Sequence, residues 1–225
     1  MKLNKRDILL WAVSAAVVLI SNIAGGSVDF VNLSATLIGA TSLIFLAKGS
    51  VTGQVLMVIF SILYAVASLR YRYWGEMITY LGMTLPMAVF AGISWIKHPA
   101  QKGVDEVKIH RLTHRETVWM FITTGIATLG FGLLLIALDT PNIVFSIISI
   151  TTSFLAGYLT FMRSPAYALA YASNDVVLIV LWVLATITDK ANAPLIANFV
   201  IFLVNDLYGY YSWKQREHKQ KDFSS

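Results

Sequence analysis

The chain has 225 residues, of which 57% are hydrophobic and only 13% charged, with a mean hydropathy of +0.68. A soluble domain carries about 25% charged residues, so a soluble enzyme, a disordered chain and a coiled coil are excluded and a polytopic membrane protein is left. The net charge of +5 does not indicate nucleic acid, because the basic residues lie between apolar stretches, and zero cysteines exclude disulfides and thiolate metal sites.

A hydrocarbon core of about 30 Å needs about 20 apolar residues per helix. That length predicts eight spans: 7–23, 30–47, 52–69, 74–96, 117–138, 142–162, 166–187 and 194–213. The first follows Lys2, Lys5 and Arg6, as in a signal peptide. No small-x-small cleavage site follows it, so it reads as an uncleaved helix. Gly25-Gly26-Ser27 separates the first two spans, and Lys48-Gly49-Ser50 the next two. Asp139-Thr140-Pro141 opens the sixth. Ser164-Pro165 opens the seventh as N-cap and first-turn proline. Eight spans put both termini on one side. With that side cytoplasmic, 14 of the 17 Lys and Arg residues fall inside and only Arg70, Arg72 and Lys190 outside. That asymmetry fits the positive-inside rule. His98, His110, His114 and His218 all fall in cytoplasmic segments and read as solvated.

The halves look related. Ser94-Trp95 ends the fourth span and Ser212-Trp213 the eighth, an offset of 118. The same offset places Tyr64 on Trp182 and Tyr80 on Asn198. Thr41-Ser42 matches Thr152-Ser153 only with an indel. Spans two to four then pair with spans six to eight, and the fifth span restores the direction of the chain. The predicted fold class is an all-α integral membrane protein of plan 1+3+1+3, with two parallel three-helix repeats. Its parts are an extra N-terminal helix (1–29), a first bundle (30–97), a cytoplasmic loop with linker helix (98–140), a second bundle (141–213) and a basic cytoplasmic tail (214–225). In transporters built from such repeats the substrate site lies near the midplane between them.

Polar residues inside the spans are the candidates for function, because a central charge costs about 2.5–3.5 kcal/mol on insertion scales. Asp175, Asp206 and Glu76 are the acids there. On a 3.6-residue period, Gln54, Ser61, Tyr64 and Ser68 share one face of the third span, and Glu76, Tyr80 and Thr84 one face of the fourth. Tyr171, Asn174, Asp175 and Trp182 form a stripe on the seventh, and Asn198, Asn205, Tyr208 and Ser212 another on the eighth. Spans five and six carry no comparable stripe of amides and acids. The alternative to a substrate path is polar glue between helices. Amides and aromatics together suit a flat, polar, ring-bearing ligand, with rings for stacking and amides for orientation. No Lys or Arg lies deep in a span, which favours a nucleoside or vitamin over a nucleotide. No phosphate-binding loop, metal cluster or nucleophile elbow is present, so no catalytic residues, metal or cofactor are expected.

Three motifs in order carry a family resemblance. Tyr73 to Met87, YWGEMITYLGMTLPM, with Ser94-Trp95 after it, resembles the third core helix of PnuC-type transporters. Asn174 to Trp182, NDVVLIVLW, and then Asn205 to Tyr208, NDLY, with Ser212-Trp213, resemble their last two helices. The resemblance implies a fold similar to that of the SWEET sugar transporters. It implies uptake of nicotinamide riboside, or in subfamilies thiamine, riboflavin or deoxynucleosides, by facilitated diffusion across a bacterial inner membrane, with a cytoplasmic kinase trapping the substrate. The expected substrate-binding residues are Gln54, Tyr64, Tyr80, Asn174, Asp175, Trp182, Asn198, Asn205 and Tyr208. Family members carry tryptophan pairs, whereas the seventh span here has only Trp182. The expected partners are a small-molecule substrate and membrane lipid, with a homo-oligomer left open. The rival reading is a membrane receptor or scaffold that binds a ligand without moving it.

Overall fold

The computed structural model describes residues 3–24, 30–70, 74–101 and 103–222. Among these, eight helices are long and apolar enough to cross a membrane. They are α1 (Lys5–Ala24), α2 (Phe30–Ala47), α3 (Val51–Arg70), α4 (Trp74–Lys97), α5 (His114–Ala137), α6 (Ile143–Phe161), α7 (Tyr167–Thr188) and α8 (Ala193–Asp222). Each satisfies its own backbone, as a lipid environment demands. The predicted spans coincide with these helices to within a few residues, except that α8 continues through 214–222 of the basic tail. The Gly25–Ser27 separator, Lys2 and Arg72 lie outside the described residues. The outer faces are apolar: Ile8, Ile20 and Ile23 on α1 and Ile126, Leu129 and Leu133 on α5 are exposed, as suits contact with lipid chains.

The α2–α3 and α6–α7 turns are built alike. The first reverses through Gly49 (φ +66°) and the second through Arg163 (φ +59°). The Gly49 and Ser50 N–H groups bond to Leu46 and Phe45 carbonyls, and the Arg163 and Ser164 N–H groups to Thr160 and Leu159. The Ser50 and Ser164 hydroxyls then accept the N–H groups of Thr52 and Ala166. These turns align Leu46 with Thr160, so Ser42 falls on Ala156. The pairing of Thr41-Ser42 with Thr152-Ser153 is therefore not the register of the turns.

Tryptophans lock these turns crosswise. The Trp95 indole N–H on α4 donates to the Thr160 carbonyl at the end of α6 (2.9 Å), and the Trp213 indole N–H on α8 donates to the Leu46 carbonyl at the end of α2 (2.8 Å). The two rings meet at 5.4 Å between centroids, and Tyr167 packs on Trp213 at 4.9 Å. All three side chains are buried. A strand-like stretch of the 98–113 loop straps the same end: the Val107 N–H bonds to the Gly49 carbonyl and the His110 N–H to the Arg163 carbonyl. Gln220, on the extension of α8, accepts from the Ile109 N–H and donates to the Val107 carbonyl. Helix α5 leaves the strap through a capping box in which the Glu116 N–H donates to Thr113 Oγ1 and the Thr113 N–H donates to the Glu116 carboxylate.

Helix α1 is attached through polar contacts. Asp7 pairs with Lys48 and accepts from the Tyr208 hydroxyl. Asn205 donates to Ser14 Oγ at 3.0 Å.

Trp213→Phe keeps the ring and removes the donor, leaving the Leu46 carbonyl without that partner. The carbonyl still accepts from the Gly49 N–H, so the loss is that of one hydrogen bond, about 0.5–1.5 kcal/mol, and thermal unfolding in detergent is expected at a modestly lower temperature than for the wild-type chain. Trp95→Phe is expected to act in the same way. Unchanged melting in both variants would show that the indole bonds do not hold this end.

Candidate functional site

A cavity of about 350 Å³ runs from the α3–α4 and α5–α6 end to the middle of the bundle. Its mouth is formed by Trp74, Gly75 and the Asp139–Asn142 turn, and it stops above the Tyr167, Trp213 and Trp95 stack. The size is that of a small-molecule site.

The aromatic wall follows from two local features. Gly39 on α2 has no Cβ, and a methyl there would lie 3.0–3.1 Å from the rings of Phe202 and Phe60. Its absence lets those rings meet edge to face at 6.1 Å, beneath Tyr64 and Tyr80. The second feature is a π turn at Tyr80–Thr84 inside α4, with the Leu85 N–H bonded to the Tyr80 carbonyl. Pro86 explains it. Proline has no N–H to offer the Gly82 carbonyl, so the helix widens by one residue. The widened turn presents Tyr80, Met83 and Thr84 to the cavity. The Tyr64 and Tyr80 rings are 4.4 Å apart, and the Tyr64 hydroxyl donates to Glu76 at 3.1 Å.

The polar wall is on α6, α7 and α8. Ser149 and Thr152 of α6 place hydroxyls 3.0 and 2.9 Å from Asn174 Oδ1. They hold the oxygen and leave the amide nitrogen as the group turned toward the cavity. Asp175 follows on α7, buried, with Oδ2 lacking a hydrogen-bond partner. Asp206 on α8 lies within hydrogen-bonding reach of it. Trp182 closes the α7 side. Among the described residues the lining includes four acids, Glu76, Asp139, Asp175 and Asp206, and no Lys, Arg or His. Such a lining favours a cation and offers no counter-charge to a phosphate. Among the described residues no group of three or more His, Cys, Asp or Glu is placed to hold a metal ion.

Of the nine residues expected to bind substrate, Tyr64, Tyr80, Asn174, Asp175 and Trp182 line this cavity together. The other four do not. Gln54 is buried nearer the strapped end, with its amide nitrogen unpartnered. Asn198 donates to Thr36 on α2, at a long 3.4 Å. Asn205 and Tyr208 face α1. Sequence reasoning did not place Phe60, Phe202 and Ser149 in the site and left Asp206 and Tyr171 outside the expected set. Phe60 and Phe202 sit in apolar runs and give no signal. Ser146, Ser149 and Ser153 recur at three and four on α6, a signal that a search for amides and acids passes over.

Comparison with known proteins agrees with this architecture. The model of the family described as nicotinamide mononucleotide transporter matches residues 29–215. The nicotinamide riboside transporter PnuC of Neisseria mucosa is 25% identical over 183 residues, covering 80% of this chain and 70% of that protein. The crystal structure of the vitamin B3 transporter PnuC superposes with a TM-score of 0.80 at 20% identity, covering 95% of this chain and 92% of that one. The chain belongs to the nicotinamide mononucleotide transporter family, the PnuC family, and is a multi-pass membrane transporter and not an enzyme.

The absence of native cysteine makes the cavity testable by single-cysteine labelling. Ser149→Cys and Ser153→Cys are expected to react with a small hydrophilic thiol reagent added from the mouth side. Gln54→Cys and Asn198→Cys are expected to stay unlabelled. Equal labelling of both pairs would remove the boundary drawn here.

Proposed function

We propose that the chain imports nicotinamide riboside, or a closely related ring-bearing vitamin or nucleoside, across a bacterial inner membrane by alternating access, with the ligand moving down its own gradient. The observation that carries this reading is a cavity walled by aromatic rings, floored by carboxyl groups and, among the described residues, lined by no basic side chain. The ring of the ligand stacks among Tyr64, Tyr80 and Trp182. The Asn174 amide donates to it. Asp175 accepts from ribose hydroxyls or faces a positively charged ring. The family description names a mononucleotide, but among the described residues of the lining a phosphate would meet Glu76, Asp139, Asp175 and Asp206 and no counter-charge. The relative from Neisseria is named for the riboside, which is the form this lining suits.

The architecture we propose is 1+3+1+3, similar to that of SWEET transporters, with α2–α4 and α6–α8 as equivalent bundles, α5 as linker and α1 as an addition. The matched turns and the crosswise indole bonds support it. Both termini are assigned to the cytoplasm from the bias of basic residues. The strapped end is then cytoplasmic and the cavity opens outward. A cytoplasmic kinase that phosphorylates the ligand would keep the gradient inward.

The test is uptake into sealed proteoliposomes. Labelled nicotinamide riboside is expected to enter and to exchange with unlabelled ligand inside, while the mononucleotide does not. Thiamine, riboflavin and deoxynucleosides rank the alternatives. Trp182→Ala is expected to weaken binding about tenfold or more, given that a stacked ring contributes about 1–3 kcal/mol. Binding without exchange across the bilayer would identify a receptor and sink the transporter reading.

A further inference from the structure

The floor of the cavity brings two carboxyl groups together, with no cation among the described residues of its lining. Asp175 on α7 and Asp206 on α8 both line it, and each is 4% exposed. They lie within hydrogen-bonding reach of each other, and Oδ2 of Asp175 has no partner. Among the described residues the neighbouring titratable groups supply no positive charge. Tyr167 and Tyr171 on α7 and Tyr80 and Glu76 on α4 are phenols or an acid. Tyr64 on α3 is engaged with Glu76. Tyr158 on α6 is turned to the Glu116 carbonyl. Helix α2 contains no titratable side chain. On α8, Arg216 acts near Tyr167 but donates to the Ala47 carbonyl, and Tyr208 is held by Asp7, which pairs with Lys48.

From this arrangement we propose that Asp175 and Asp206 form a cation-for-proton exchange site. In the empty cavity the pair holds one proton between its two carboxyl groups. A cationic ring entering the cavity takes the place of that proton, which leaves to water through the open mouth. The charge balances: one positive charge arrives, one departs, and the net charge of the filled cavity equals that of the empty one. The physical ground is that two carboxylates in contact, away from water and without a cation, do not both stay ionised. A bound pyridinium or other quaternary ring supplies the missing counter-charge. The proposal rests on the cavity being the ligand site, as argued above, and adds a specific role for the charge of the ligand.

Linkage fixes the sign. At low pH the cation has to displace the proton, so its affinity rises with pH, about tenfold per unit, until the pair is already fully ionised. A neutral ligand of the same shape has no such dependence.

The experiment is calorimetric titration of the purified full chain in buffers of different ionisation enthalpy, between about pH 5 and 9, which counts protons released per ligand bound. The probes are nicotinamide riboside, a pyridinium cation, and its reduced dihydropyridine form, which is uncharged. The cation is expected to release about one proton in the steep part of its pH profile and the reduced form none. Asp206→Asn is expected to bind the cation with little release and a flat pH profile. Should that variant fail to fold, the two ligands on the wild-type chain decide the matter alone. Cation binding with no proton released at any pH overturns the exchange and leaves the transport reading standing. Equal release by both ligands also overturns it, since ligand charge would not be the cause. Binding of neither ligand overturns the transport reading, and the exchange falls with it.

Discussion

Two indole N–H groups hold one end of the bundle closed, and the shape of the cavity depends on them. The last carbonyls of a helix have no partner within it. At the ends of α2 and α6 the Leu46 and Thr160 carbonyls accept the Gly49 and Arg163 N–H groups of their own turns, and Trp213 and Trp95 add a second donor to each from a distant helix. Each bond runs to a helix distant in sequence, joining α8 to α2 and α4 to α6. The four helices therefore converge at the tryptophans and leave space between them at the other end. The ring contact between Trp95 and Trp213 fills the point of convergence.

In lipid every polar side chain needs a partner or a wet surface, and the polar residues of this chain divide on that basis. Asn205, Tyr208 and Asp7 are turned toward one another's helices, where they fix α1 to the bundle. Ser94 donates to the Phe161 carbonyl beside the Trp95 bond and strengthens the same junction. On the cavity wall the bonds to the Asn174 oxygen leave its amide nitrogen free, and Asp175 lines the same wall beside Asp206. Ser149 and Thr152 matter because they settle the orientation of the Asn174 amide before any ligand arrives, so less ordering remains to be done on binding.

The fold was more legible than the site, for a physical reason. Spans are fixed by hydrophobic thickness, a property of each segment alone, and all eight could be read from hydropathy. The extension of α8 was missed because residues 214–222 are too charged to span, although they remain helical by packing Gln220 and Glu217 against the strap. Periodicity shows that a helix has a polar face without showing what that face meets. On α8 two such faces lie side by side. Asn205 and Tyr208 belong to the one that meets α1, and Asp206 to the one that meets the cavity. On α4 the π turn at Pro86 shifts the register that the four-residue spacing assumes, yet Tyr80 still reaches the site because the turn begins at that residue. Phe60 and Phe202 become site residues only because Gly39 lets them approach, a relation among three helices that no single segment carries.

The closed end also defines what alternating access requires. A ligand shifts the balance between outward and inward forms only through contacts that differ between them. For the strapped end to open, Trp95 and Trp213 must separate, and the Val107–His110 strap must release the Gly49 or the Arg163 carbonyl, since it is bonded to both turns at once. These contacts are backbone bonds and indole bonds beyond the reach of the cavity lining. The ligand therefore acts on them through the helices that carry both. Helix α7 holds Asn174, Asp175 and Trp182 in the cavity and Tyr167 against Trp213. Helix α8 holds Phe202 and Asp206 in the cavity and Trp213 at the closure. In the alternating access proposed above, a ligand that drew these two helices toward Tyr64 and Tyr80 would tilt their far ends apart. Under that proposal, closing one end of the bundle and loosening the other would be the same rigid movement, with the aromatic closure at the far ends of the two helices that carry it.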